Sequence, residues 1–401
     1  MTGLAVAERP LTALSAADEQ WRDFVSQFAA EHVRPLVREM DEAAALRPDL
    51  LTRLFEAGLM GVEIPAAYGG AGRGLFQVVL AIEELARVDP AVAVVVDVQN
   101  ALVASALLRH GSGDQRRRYL PRLASGMVGA YAISEADAGS DALALCARAT
   151  PCAAGFSLDG TKAWVTNAAE AGLFLLFAKV HDGEGAGRMT AFLVDGTAPG
   201  VRVGSPIGKL GIRASSTREL TLSGVIAGRH DVLGRVGEGE VLAVETLNVG
   251  KLGIAAQLVG LAQGALDEAL GYARQRRQFG EPIADFQGVR FPLARLAAEI
   301  DAARVTVYNT ARVLESGTAT ERLRAAAVAK YVASDVAERA AAQAVETLGG
   351  NGFSTRSLAE KFYRDAKIGK IYEGTSNMQF RTIASLLLGP VRDLRPTGAR
   401  Q

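Results

Sequence analysis

The chain has 401 residues, 49% hydrophobic and 22% charged, a globular composition in a chain too long for one compact core, so two or three domains are expected. Lys+Arg and Asp+Glu are both 44, for a formal net charge of zero, and no basic excess points to nucleic acid or an anionic membrane as a partner. Two cysteines, Cys146 and Cys152, form neither a disulfide framework nor a metal-binding spacing, so no metal is expected and a reduced, cytoplasmic setting fits.

The opening residues, MTGLAVAERP, lack the basic start and long apolar core of a signal peptide. Residues 1–126 read as an N-terminal all-α domain. Trp21, Phe24, Val25 and Phe28 recur at helical spacing, and Leu50, Leu51, Leu54 and Leu59 follow before Gly58 and Gly61 end the pattern. The most apolar run, residues 91–108, is interrupted by Asp97, Gln99 and Asn100 and reads as a buried helix, being too short and too polar for a bilayer. Residues 127–236 change texture: short apolar runs alternate with Gly, Asp and Pro, which predicts a middle antiparallel β domain. Helical periodicity returns over residues 237–401, with Ala-rich segments that suit long, closely packed helices. The polar tail, residues 392–401, reads as loose.

Five segments carry residues suited to chemistry, and each has an ordinary explanation when taken alone. The segment from Tyr131 to Asp141 has small residues that let backbone approach a ligand, with hydroxyls at Ser134 and Ser140; it is equally a turn. Trp164 offers a flat wall and Thr166 a donor, or both belong to a core strand. Arg276, Phe279 and Gln287 suit a diphosphate through the forked guanidinium, or lie in solvent. Glu346, Gly349 and Gly350 read as a helix end with its glycine cap, or as room for a cofactor. Glu373 stands between Tyr372 and Gly374, followed by Thr375 and Asn377. A carboxylate among apolar neighbours has a raised pKa and suits a general base, while the alternative is a helix-start acid favoured by the dipole.

Together, in this order and spacing over about residues 20–385, the segments resemble the acyl-CoA dehydrogenase family. The resemblance implies the acyl-CoA dehydrogenase fold: an N-terminal all-α domain, a middle antiparallel β domain and a C-terminal four-helix bundle. It also implies FAD and a homotetramer. By the same resemblance Tyr131, Ser134, Gly139 and Ser140 match the first flavin-binding segment, with Ser140 also near substrate. Trp164 and Thr166 match the pair beside the isoalloxazine ring. Arg276, Phe279 and Gln287 match groups that reach the diphosphate and adenine half across a subunit boundary, Gly349 and Gly350 the backbone cradle, and Thr375 and Asn377 a segment that touches FAD. Glu373 matches the base. Lys251, Tyr372 and Gly374 fall with the substrate.

The implied reaction removes the α-proton of an acyl thioester with Glu373 and the β-hydride with flavin. The thioester carbonyl is polarised by the base's own backbone N–H and a ribityl hydroxyl, and electrons then pass to an electron-transferring flavoprotein. Other members of the family carry the base at the position of Gly250, which has no side chain to act. Two departures stand out: Lys251 replaces the usual Arg and loses its fork, and Glu346 replaces Gln beside the diphosphate. Ser134, Asn248, Glu346 and the run from Lys209 to Thr217 resemble the short/branched-chain branch, which implies a 2-methyl-branched acyl-CoA, with Gly250 and Gly374 leaving lateral room at Cα. Two alternatives remain: the same desaturation on an acyl group tethered to a carrier protein, and a non-catalytic relative serving as a scaffold.

Overall fold

The computed structural model describes residues 12–389; the expectations for the opening segment and for the polar tail lie outside the described residues. The first helices are α1 (Ala16–Phe28), α2 (Val37–Ala43), α3 (Pro48–Glu56) and α4 (Leu75–Ala86). They are followed by α5 (Pro90–Asp97), α6 (Ser105–His110) and α7 (Gly113–Ser125). Their starts are set by local chemistry. Ser15 caps α1 and Ser112 caps α7, each in a reciprocal capping box, and Asp89 caps α5 ahead of Pro90.

A π-helical turn, Val98–Ala104, joins α5 to α6, so residues 90–110 run as one helix. This is the apolar stretch expected to be buried, and 94% of its most apolar window lies inside the protein. Two of the three polar residues that interrupt it are structural. The Gln99 side chain donates to the carbonyls of Leu123 and Met127 and accepts from Gly129 N–H; that of Asn100 donates to the Leu59 and Val96 carbonyls and accepts from Val62 N–H. Asp97 is different: it is buried, and neither carboxyl oxygen has a hydrogen-bond partner among the described residues.

The strands are β1 (Val128–Ala132), β2 (Arg148–Cys152), β3 (Gly155–Thr166), β4 (Ala171–Val180), β5 (Met189–Asp195), β6 (Val201–Val203), β7 (Thr217–Ala227) and β8 (Val232–Leu233). They form one sheet in the order β6-β7-β3-β2-β4-β5-β8, with β1 also on β4. Most pairings are antiparallel, as expected, but β1 and β2 each run parallel to β4, so the sheet is mixed. The long connections from β1 and β2 allow this, since parallel neighbours need a crossover rather than a hairpin. Alternation along β4 splits its side chains between two cores. Leu173, Leu175 and Phe177 face the helices, while Phe174, Leu176 and Ala178 fill the interior of the sheet.

The C-terminal helices are α8 (Gly239–Gln275), α9 (Gln287–Ser316), α10 (Ala319–Leu348), α11 (Gly350–Phe353), α12 (Ala359–Ala366) and α13 (Ser376–Leu388), with a short hairpin β9 (Arg277–Gln278) and β10 (Glu281–Pro282) after α8. Helices α8, α9, α10 and α13 pack as the bundle, and α4 and α5 pack on α8. The two helical regions therefore share one hydrophobic core, from Trp21 and Leu80 to Leu258 and Ala340. Gly260 and Gly264 let α8 approach the Glu83 and Arg87 carbonyls so closely that a Cβ would stand 2.1 and 2.3 Å from them. A buried ion triad ties the regions together. Lys361 on α12 bonds Asp89 at 2.7 Å and Asp365 at 2.6 Å, and Asp365 accepts from Ile212 N–H in the loop before β7. Removing one member would strand a buried charge at a cost of roughly 3–5 kcal/mol.

Candidate active site

Glu373 lies in the loop between α12 and α13. Glu373 and Gly374 are both left-handed, with φ +51° and +87°. That conformation is unusual for a residue with a side chain and strains the backbone. The residue is half-buried, but its Oε2 is buried with no hydrogen-bond partner among the described residues. Its backbone N–H donates to no acceptor among the described residues. Burial pushes the carboxyl up to about 7, against the pull of Lys251 and Lys330. A carboxyl that titrates near neutrality suits proton abstraction better than an ordinary one.

The neighbours of Glu373 come from α5, α8, α10, β1 and its own loop. Gly250 on α8 lies directly against it: a Cβ there would stand 2.9 Å from Glu373 Oε2 and 2.6 Å from Leu102 Cδ2. Lys251 on α8 bonds Asn248 Oδ1 at 3.3 Å, and burial lowers its pKa while Glu373 raises it. Lys330 on α10 is fully buried, is pushed down to about 8 by burial, and donates to the Gly374 carbonyl at 2.8 Å. Asp97 at the end of α5 is raised by burial and then by Glu373. It sits so close to α8 that a Cβ on Gly253 would stand 1.7 Å from its Oδ1. Tyr131 on β1 has a buried hydroxyl without a partner, raised by burial and then by Glu373. Tyr372 is anchored by donating to Gln257 Oε1, whose Nε2 donates to the Pro90 carbonyl at 2.6 Å.

The flavin-wall residues stand beside this group. Tyr131 packs on Phe177, with ring centroids 5.2 Å apart. The Ala163 N–H donates to the Ser134 carbonyl at 2.9 Å, which lays the Ser134 segment along β3. A register shift in β3 between Lys162 and Val165 places Trp164 at φ +60° and leaves its ring 62% exposed. A bulge of this kind redirects a side chain, and here it presents an indole to solvent. Thr166 pairs with Thr217 of β7, and Gly139 and Ser140 are exposed in the loop after β1. Thr375 is the N-cap of α13, its hydroxyl accepting from Met378 N–H at 3.3 Å, so its proton remains free to donate. Asn377 is exposed on the first turn of α13.

The third group lies at the far end of α8 and α10. Arg276, Gly349 and Gly350 line one open cleft of about 380 Å³. Phe279 is in the hairpin at φ +53°, 95% exposed and edge-on to Phe286. Gln287 opens α9 and is exposed. Glu346 is exposed near the end of α10 and forms no ion pair among the described residues. No described contact joins this group to Glu373. A guanidinium beside open glycines, an indole turned outward and a buried unpaired phenol together fit a flavin with a diphosphate tail.

Among the described residues six non-glycine residues have positive φ, and three of them, Trp164, Phe279 and Glu373, were singled out from the sequence. One expectation needs correction. The spaces at Gly250 and Gly374 are not lateral room, because Leu102 and Glu373 fill the first and Gln379 Nε2, 2.8 Å from a Cβ on Gly374, fills the second. These glycines permit close packing instead. Sequence reasoning missed Lys330, Asp97, Gln257 and Gln379. A lysine in the buried stripe of Ala326, Ala329 and Ala333, and an aspartate in the apolar run of α5, were signals it could have used.

The models for the acyl-CoA dehydrogenase N-terminal, middle and C-terminal domains match residues 15–127, 130–225 and 237–388. A probable short/branched chain specific acyl-CoA dehydrogenase of Dictyostelium discoideum is 48% identical, over 94% of this chain and 91% of that protein. The solved butyryl-CoA dehydrogenase of Megasphaera elsdenii is 34% identical with a TM-score of 0.90, over 94% of this chain and 99% of that one. A solved prolyl acyl carrier protein oxidase, AnaB, is 29% identical with a TM-score of 0.88, over 94% and 100%. The chain belongs to the acyl-CoA dehydrogenase family.

Proposed function

We propose that this chain is an FAD-dependent acyl-CoA dehydrogenase that desaturates a short, 2-methyl-branched acyl-CoA at Cα–Cβ, with Glu373 as the base. The observation that carries the reading is the Glu373 carboxyl, its Oε2 buried with no hydrogen-bond partner among the described residues and its pKa pushed up to about 7 by burial, in a left-handed turn against a glycine. Its carboxylate takes the α-proton, and its free backbone N–H is available to the thioester oxygen, where enolate charge develops. Lys251 adds positive charge beside that step, as a point charge without a fork. When bound, FAD supplies the acceptor for the β-hydride. Tyr131, Ser134, Gly139, Ser140, Trp164, Thr166, Thr375 and Asn377 would hold its flavin end. Arg276, Phe279, Gln287, Glu346, Gly349 and Gly350 would meet the diphosphate and adenine end of a flavin, in this reading one bound partly by another subunit. The largely exposed Phe279 and Phe353 favour burial between copies, consistent with a homotetramer. An electron-transferring flavoprotein completes the turnover, and the free thiols of Cys146 and Cys152 accord with a cytoplasmic setting.

The preference for 2-methyl branching rests on likeness to short/branched-chain relatives such as the Dictyostelium protein. A panel of acyl-CoA substrates, read by anaerobic bleaching of the flavin, tests it. Highest kcat/KM is expected for 2-methylbutyryl- or isobutyryl-CoA. Short straight chains should follow, since one misplaced methyl costs about 1–3 kcal/mol in a pocket. A higher kcat/KM for octanoyl-CoA than for every branched substrate would sink the preference. The likeness to AnaB supports a second reading, the same reaction on a carrier-tethered acyl group. Offering one acyl group on CoA and on carrier protein separates the two.

A further inference from the structure

Neither helix nor strand holds Glu373. It occupies the first of two consecutive left-handed positions, in a loop where side chains must supply the restraint that a hydrogen-bonded ladder supplies elsewhere. Two side chains do so. Lys330 Nζ and Gln379 Nε2 both donate to the Gly374 carbonyl at 2.8 Å, and Gln379 Nε2 also reaches the Glu373 carbonyl at 3.3 Å. Both donors are buried.

Lys330 is the unexpected member. It projects from a buried stripe of α10 that holds Ala326, Ala329 and Ala333, where a buried amine costs free energy unless it is hydrogen-bonded. Among the described residues it forms no ion pair, unlike buried Lys361 with its two aspartates and buried Lys162 with Glu135. Its hydrogen bond goes to the catalytic loop. The groups facing Glu373 are Lys251 from α8, Lys330 from α10, Asp97 from α5, Tyr131 from β1 and the adjacent Tyr372. The two lysines are the cations among them.

We propose that Lys330 is a positioning residue for proton abstraction: its ammonium clamps the Gly374 carbonyl, fixes the Glu373 carboxylate in place, and keeps a cation beside it. This rests on Glu373 being the base. The clamp sets where the carboxylate stands, and a misplacement of about 1 Å costs roughly 10²-fold in rate. The charge favours the ionised carboxylate, the form that accepts the proton.

The two contributions separate in variants of the FAD-loaded enzyme. Lys330→Met removes the donor and the charge, whereas Gln379→Met removes a donor from the same carbonyl and leaves the charge. For Lys330→Met, KM should stay within about twofold while flavin reduction at saturating substrate slows at least about tenfold, and the pH of half-maximal rate should move upward. For Gln379→Met the rate should fall with no such move. A readout independent of turnover is the infrared titration of the Glu373 carboxyl, assigned by its loss in Glu373→Gln, which should also move upward in Lys330→Met. Lys330→Gln replaces Lys330→Met should the latter not fold. An unchanged reduction rate, or an unchanged carboxyl titration, overturns the proposal, and so does failure of both Lys330 variants to fold, since Lys330 would then belong to the scaffold. If no acyl thioester bleaches the wild-type flavin, the proposed reaction itself is wrong; if wild type bleaches and the variants match it, only the role of Lys330 is.

Discussion

Gly250→Ala adds one methyl group at the closest contact of the site. Its Cβ would stand 2.9 Å from Glu373 Oε2 and 2.6 Å from Leu102 Cδ2, both inside ordinary contact, which begins at 3.4 Å. Leu102 can turn aside, and the carboxylate, with no hydrogen bond holding its Oε2 among the described residues, withdraws by about half an ångström to restore ordinary contact. Overpacking of this kind costs about 1–3 kcal/mol. Replacing a helix-interior glycine by alanine returns about 1 kcal/mol. The net loss of stability is therefore small, roughly 0–2 kcal/mol. Catalysis should suffer more: since 1 Å of misplacement costs about 10²-fold, half of that costs about tenfold. Anaerobic stopped-flow reduction of the bound flavin measures the chemical step, and thermal unfolding of the same sample measures the fold. A Tm within a few degrees of wild type with reduction about tenfold slower is the expected pair. A lowered Tm with an unaltered reduction rate would mean that Leu102 yields and the carboxylate does not, and the packing of Gly250 against the base would then be wrong.

Arg276→Ala should weaken FAD binding by about 1.5–3 kcal/mol, the worth of a charge-assisted contact, while the flavin-loaded fraction keeps its rate. Titration of the apoprotein with FAD checks this, and unchanged affinity removes Arg276 from the site. Asp97→Asn should stabilise the protein increasingly as pH rises. Burial raises the folded pKa of Asp97 above its usual value. The acid is therefore neutral in both states at low pH, and above the unfolded pKa only the unfolded chain gains by ionising, so wild type loses stability there. Tm values at pH 5 and pH 8 compare the two proteins, and a margin over wild type that does not widen with pH would refute the assignment.

The helix–sheet–helix order was legible because periodicity changes at each junction, and Glu373 stood out as the candidate base only through the family resemblance, since its neighbours alone also fit a helix-start acid. The parallel pairings of β1 and β2 with β4 were not, because strand texture carries no direction. The role of Gly250 was misread. A glycine in a sequence announces missing atoms, but only packing shows that Leu102 and Glu373 occupy the space. Lys330 lies 43 positions before Glu373, and only the packing of α10 against the loop that carries Glu373 brings them together. Gln99, Asn100 and Asp97 looked alike as polar breaks in an apolar run, yet two are satisfied structural residues and the third is an unpaired carboxyl at the site.

The claim that Glu373 is the base is tested most directly by the pH dependence of anaerobic flavin reduction in wild type and in Glu373→Gln. The ionised carboxylate is the active form, so the wild-type rate should rise with pH through about 7 and level off above it. The variant should bind FAD and acyl-CoA, reduce its flavin about 10²–10⁴-fold more slowly, and show no inflection near that pH. Reduction by Glu373→Gln at close to the wild-type rate, or with the wild-type pH profile, would contradict the account.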